Sequence, residues 1–152
     1  MAKLRTTGID DLILSMKELG ELSGEVADEM LLRAAEELKK AWREAIVRHG
    51  LVNTGGLRDS VGYESIKQEG DVKRIDVLPL GKSTQMKNQK TGKTYKRKKA
   101  VRFAEIAFIN HYGTSSRPAT HFVDTAEELA KGKVEQVMNE IWTETLKKKG
   151  LI

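Results

Sequence analysis

Apolar residues recur at helical spacing in two long stretches, one toward each end of the chain. From Glu25 to His49, the positions Val26, Met30, Ala34, Leu38, Ala41, Trp42, Ala45 and His49 repeat at three and four. That stripe predicts a long helix lying on a core. Gly50 follows, placed to close the helix in the left-handed conformation, and Ser23 precedes it as an N-cap with Glu25 in the first turn. At the other end, Ala126, Leu129, Ala130, Val134, Val137, Met138, Ile141, Trp142 and Leu146 predict a second long helix, closing with Lys147, Lys148 and Lys149 at its negative dipole end. Asp124 and Thr125 each have a glutamate three residues later, Glu127 and Glu128, so either can open that helix with a capping box. A third, shorter stripe of Ile9, Leu12, Ile13, Met16, Leu19 and Leu22 predicts a first amphipathic helix over 9–22.

Between the long helices the pattern changes. Asn53, Thr54, Gly55 and Gly56 have the chemistry of a tight corner leading into one helical turn around Leu57. Residues 61–69 and 72–80 read as two strands joined across Gly70 and Asp71. Alternation of Ile75 and Val77 with Arg74, Asp76 and Leu78 supports the second, and Pro79 marks an edge or an end. The stretch after Gly81 has no apolar period, and Thr91-Gly92-Lys93 at its centre suits either the turn of a protruding hairpin or a mobile loop. Residues 101–112 satisfy both helical and strand templates; we assign a short helix ended by Gly113, followed by a loop over 114–121. Helices enclosing short strands define an α+β class: long N- and C-terminal helices packed on a small antiparallel sheet, with a protruding basic loop or hairpin.

The chain has 152 residues, which suits a single domain over 1–152, and it contains no cysteine, which removes disulfides, thiol catalysis and thiolate metal sites together. No apolar run reaches the roughly 18 residues of a membrane helix, and the acids in MAKLRTTGIDDLILSMK interrupt what a signal peptide would keep apolar, so no membrane association and no export signal are expected. The net charge of +5 is local. Lys82, Lys87, Lys90, Lys93, Lys96, Arg97, Lys98 and Lys99 fall in one acid-free segment, and without them 19 cations face 22 acids, a net −3.

Candidate chemistry is sparse. Gly81-Lys82-Ser83 ends like a phosphate-binding loop, but Asp76 occupies the place of the earlier glycine and no helical pattern follows. His49 reads as a packed or C-capping imidazole at its helix end. His111 and His121, with Asp124 nearby, match no zinc spacing. Ser60, Ser115 and Ser116 have no evident base, Glu36 suits pairing with Lys40, and Trp42 and Trp142 sit on the apolar stripes as core anchors. We therefore assign no catalytic residue, no metal and no cofactor. A hydrolase built on His111, His121 and Asp124 would require the three to converge around a pocket.

Two segments together resemble a known family. Asn53-Thr54-Gly55-Gly56-Leu57-Arg58-Asp59-Ser60-Val61 is similar to the threonine-glycine, leucine-arginine, serine-isoleucine corner of small neck proteins of tailed phages and prophages. RFAEIAFINHYGTSSRPATHFVDTA, residues 102–126, resembles their alanine-glutamate, isoleucine-alanine, asparagine, tyrosine-glycine-threonine, proline-alanine and phenylalanine block. With the flanking helices the similarity runs from about residue 9 to 147. It departs at His111, where an acid often stands, and at Thr120 and His121, which replace an arginine-proline pair.

The resemblance implies a noncatalytic virion protein of the head–tail interface, assembled in the bacterial cytoplasm. Such a protein forms a homo-oligomeric ring, sixfold or twelvefold, that completes the tail or joins it to the head. Its implied partners are portal, adaptor or stopper proteins on one side and tail-tube or tail-terminator proteins on the other. Thr54, Gly55, Leu57, Arg58, Ser60, Tyr112, Gly113, Thr114, Pro118 and Phe122 would hold the family's structural positions. In that setting the arm at 82–99 has three readings: a lumen-facing surface making non-specific contact with DNA, a dock for an acidic neighbour, or a solvated loop. The competing reading is a nucleic-acid-binding module that acts through the same arm.

Overall fold

A computed structural model describes residues 4–7, 11–15, 24–70 and 72–148. Two long helices, α1 (Gly24–Arg48) and α4 (Phe122–Lys148), pack side by side. The end of α1 meets the start of α4, where His49 Nε2 lies 2.8 Å from Thr125 Oγ1, so the two run antiparallel. The face of α1 buried against α4 and the sheet is Ala27, Met30, Leu31, Ala34, Ala35, Leu38, Ala41, Trp42, Ala45 and Ile46, a stripe at three and four that contains most of the predicted one. Facing it are Phe122, Val123, Ala126, Ala130, Val134, Met138 and Ile141 of α4. The alanines let the backbones approach, and Trp42 and Phe122 fill the space at one end edge to face, 5.6 Å between ring centroids. Trp142 is partly buried against the same core.

The sheet is antiparallel, in the order β1 (Leu4–Thr7), β2 (Asp11–Ser15), β5 (Val72–Pro79) and β3 (Val61–Tyr63), with β4 (Lys67–Glu69) also paired to β5. β5 is its centre and alternates as expected, with Lys73, Ile75, Val77 and Pro79 buried. Pro79 ends the strand, opposite Val61. Lys73 is buried on the inner face and is satisfied there by the Asp28 carboxylate and by the Gly24 carbonyl at 3.2 Å.

Several expectations need correction. Residues 11–15 form strand β2, not part of a helix over 9–22. Over five residues apolar spacing fits either element, and pairing of Asp11–Ser15 with Val72–Asp76 decides for the strand. The remainder of that predicted helix, residues 9–10 and 16–22, lies outside the described residues, as do Ser23, Asp71 and Lys149. The first predicted hairpin strand divides into β3 and β4. Ile66 between them turns onto the core, and Gly70 at φ 60° makes the turn into β5. The last helix starts at Phe122, two residues before Asp124, so neither Asp124 nor Thr125 is its cap. Burial of the Phe122 ring beside Trp42 draws the helix start back, and Asp124 falls in the first turn, where its charge suits the positive dipole end.

Gly50 at φ 66° closes α1 as expected, and the single turn around Leu57 is α2 (Gly56–Ser60). Of the ambiguous segment, residues 103–112 are helical, α3 (Phe103–Tyr112) ending at Gly113, whereas Val101 and Arg102 belong to the strand that precedes the helix. The polar stretch before it is a hairpin, β6 (Lys82–Lys87) and β7 (Thr94–Arg102), forming a separate two-stranded sheet.

Candidate functional site

The hairpin is built by local chemistry. Asn88 Oδ1 accepts the amides of Lys90 and Thr91 at 2.9 and 3.3 Å, and the Gly92 amide reaches the Asn88 carbonyl at 2.7 Å with Gly92 at φ 69°. A register shift lies between Ser83 and Gln85. Arg97 holds that irregularity, its Nε donating to Ser83 Oγ at 3.1 Å and to the Gln85 carbonyl at 3.3 Å. Ser83 is buried and its hydroxyl donates to the Gln85 carbonyl at 3.0 Å. Gly81-Lys82-Ser83 thus leads into a strand, and the serine is committed to the backbone.

Of the eight cations, Lys82, Lys87, Lys90, Lys93, Lys96, Lys98 and Lys99 are exposed and Arg97 is half-buried. Among the described residues none of the eight forms an ion pair with a carboxylate. The register passes from Ser83 opposite Val101 to Gln85 opposite Lys96, so residues 97–100 of β7 stand opposite Thr84 alone and bulge out of the ladder. Lys96, Lys98 and Lys99 stand exposed on and beside this bulge. Tyr95, half exposed, points its hydroxyl at Met86 Sδ, 3.6 Å away.

One face of the hairpin closes over a cleft of about 690 Å³ against the body of the molecule. Its other walls are the 51–57 corner, α3 and the 117–120 loop, and its charged lining is Lys87, Arg97 and Arg117, without an acid. This cleft brings together the two segments that carry the family resemblance. Thr54 and Leu57 come from the first, and Phe103, Asn110 and Pro118 from the second.

The corner is tightly made. Thr54 Oγ1 accepts the Gly56 amide at 3.3 Å, Gly55 sits at φ 84°, and the Ser60 hydroxyl donates to the Leu57 carbonyl at 2.7 Å. A Cβ on Gly56 would lie 2.8 Å from the Phe103 ring, so the corner and the start of α3 are in direct contact. Arg58 reaches outward to Asp59 at 2.8 Å. That contact raises the pKa of Arg58 and lowers that of Asp59.

In the second segment Gly113 (φ 77°, ψ −179°) stops α3, and Thr114 pairs with Arg117 across a short turn. Phe122 is fully buried, while Tyr112 is exposed and stacks at a tilt on Phe108, 4.7 Å between centroids. Asn110 and Arg117, to which the sequence reading gave no role, form the polar hub of this loop. Asn110 Oδ1 accepts from Arg117 Nη1 at 3.2 Å, its Nδ2 donates to the Ile106 carbonyl at 2.9 Å, and its carbonyl accepts the Thr120 amide and hydroxyl at 3.0 and 2.7 Å. Position gave one signal: an asparagine on a short apolar helix, followed by a proline-containing loop.

His49, expected to pack or cap, is exposed and bridges to Thr125 instead. Glu36 accepts the Tyr63 hydroxyl at 2.8 Å, and Lys40 pairs with Glu37. His111, His121 and Asp124 do converge at the junction of α3 and α4, although none of them lines the cleft. His111 is buried, and burial lowers its pKa from 6.5; Asp124 pulls it back up, and His121 pushes it further down.

The geometry thus defines an α+β protein with an acid-free basic hairpin standing over a cleft. No family model, no curated protein and no solved structure matches the chain. Among the described residues no helix is long and apolar enough to cross a membrane.

Proposed function

We propose that the chain is a structural subunit of the neck of a tailed phage or prophage particle, assembling as a sixfold or twelvefold ring between the portal complex and the tail. The observation that supports this most is the meeting of the two family-like segments. Residues 53–61 and 102–126 are separated by some forty residues, yet they form the walls of one cleft beneath the hairpin. A helical pair on a small sheet supplies a stiff wedge, and the hairpin supplies a projecting surface for a neighbour. Ring subunits need such heterologous contacts, in which one surface meets a different surface of the next copy.

A second reading, a nucleic-acid-binding module acting through residues 82–99, is favoured by one observation: seven exposed lysines and Arg97 without a carboxylate partner among the described residues. Such a surface binds phosphates by counterion release and without base reading. The neck reading is tested by deleting the gene from cells that produce tailed particles and imaging the product. It expects heads and tails that fail to join or tails that stay incomplete. Normal particles after deletion would refute it.

A further inference from the structure

The last turn of α3, the residue that precedes α4 and the first turn of α4 bring three metal-ligating side chains to one place. His111, His121 and Asp124 offer ligand atoms that all lie within 4.8 Å of one another. A four-coordinate ion with bonds of about 2.0–2.1 Å holds its ligand atoms about 3.3 Å apart, so closing on an ion asks each atom to move by under about 1 Å. His111 is buried and fixed by its neighbours, whereas His121 and Asp124 are exposed and free to adjust toward it.

The backbone at His121 is a second, independent sign. Among the described residues it is the only non-glycine position with positive φ, 51°. A side chain in the left-handed region is uncommon, and such outliers gather at functional positions. Here the conformation turns the chain out of the 114–120 loop into α4 and sets the His121 ring edge-on to His111, 5.2 Å between centroids. His111 Nδ1 accepts a long hydrogen bond from the Val123 amide at 3.4 Å, which a metal on that nitrogen would replace.

We propose that His111, His121 and Asp124 form a site for a single divalent cation of the zinc class, completed by water on the exposed side. Two imidazoles and one carboxylate suit zinc and its transition-metal neighbours, whereas magnesium and calcium prefer all-oxygen sets. The amides opening α4 oppose a cation there, and Asp124 in the same turn offsets them. An ion so placed ties the end of α3 to the start of α4 and so pins the 114–120 loop, three residues of which line the cleft. This inference does not depend on the neck reading.

The test is zinc titration of the full chain, purified without a histidine tag and stripped with EDTA, followed by calorimetry, with cobalt absorption reporting imidazole ligation. The variants are His121→Asn, whose side chain tolerates the left-handed backbone, and Asp124→Asn, with His49→Gln as a control. One equivalent of zinc bound, with affinity falling at least tenfold in both site variants and staying within tenfold in the control, is the expected result. The absence of one-equivalent binding, either site variant remaining within tenfold, or a control that also loses binding, overturns the site.

Discussion

Exchanging Gly113 for alanine should damage the fold through backbone rather than side-chain contacts. Gly113 combines φ 77° with ψ −179°, a region open essentially to glycine. An added Cβ would stand 2.6 Å from the Ala119 amide nitrogen, 2.7 Å from the Arg117 carbonyl oxygen and 3.0 Å from the Ala119 Cα. All three are main-chain atoms of the loop that folds back over the helix end, so relief requires the loop itself to move. Backbone strain contributes about 1–3 kcal/mol and overpacking about 1–3 kcal/mol more, together about 2–6 kcal/mol against a domain stability of about 5–15 kcal/mol. Gly92 is the comparison. It has φ 69° with nothing within 4 Å of the added carbon, so Gly92→Ala carries only the left-handed penalty of about 1–2 kcal/mol. Urea unfolding of the two variants, at a shared slope, measures the difference. Gly113→Ala should be the less stable by about 1–4 kcal/mol. Equal midpoints would show that the loop does not pack over Gly113 as described.

Phe122→Ala, which removes a fully buried ring from its edge contact with Trp42, should cost about 3–5 kcal/mol in the same assay, and Phe122→Leu clearly less. Replacing Lys96, Arg97, Lys98 and Lys99 together by alanine should abolish any binding to DNA fragments at low salt. If the intact chain shows no such binding, the nucleic-acid reading falls. Because burial holds the pKa of folded His111 below 6.5, the unfolded chain takes up the proton first as pH falls. Its contribution to stability is full above about 6.5 and is lost as pH falls from there through the lower folded value. His111→Gln should therefore flatten the decline in stability below neutrality, and an unchanged slope would contradict the burial argument.

The long helices were legible because each offers six or seven turns of unbroken apolar spacing, enough to outweigh local ambiguity. β5 was legible from Ile75 and Val77, and the stops at Gly50 and Gly113 from residues that tolerate left-handed backbone. Residues 11–15 were not, because Leu12, Ile13 and Leu14 are apolar in a row and only the partner strand decides their state. The start of α4 was misplaced because a capping-box pattern at Asp124 is a local signal, whereas burial of Phe122 is a tertiary one. The basic segment was visible as charge, but the bulge that interrupts it at 97–100 needed the strand register. The grouping of His111, His121 and Asp124 was named only as a requirement. Its spacing matches no motif, and the ligand atoms meet through a loop whose course is set by Asn110, Arg117 and a left-handed His121.

Electron cryo-microscopy of tailed particles from cells that encode the chain tests the neck assignment most directly. The account predicts a closed ring of copies at the junction of portal and tail, with the hairpin at residues 82–99 ordered against the channel or an adjoining ring. A neck whose density is fully explained by other proteins, in particles that lack this chain, would contradict it.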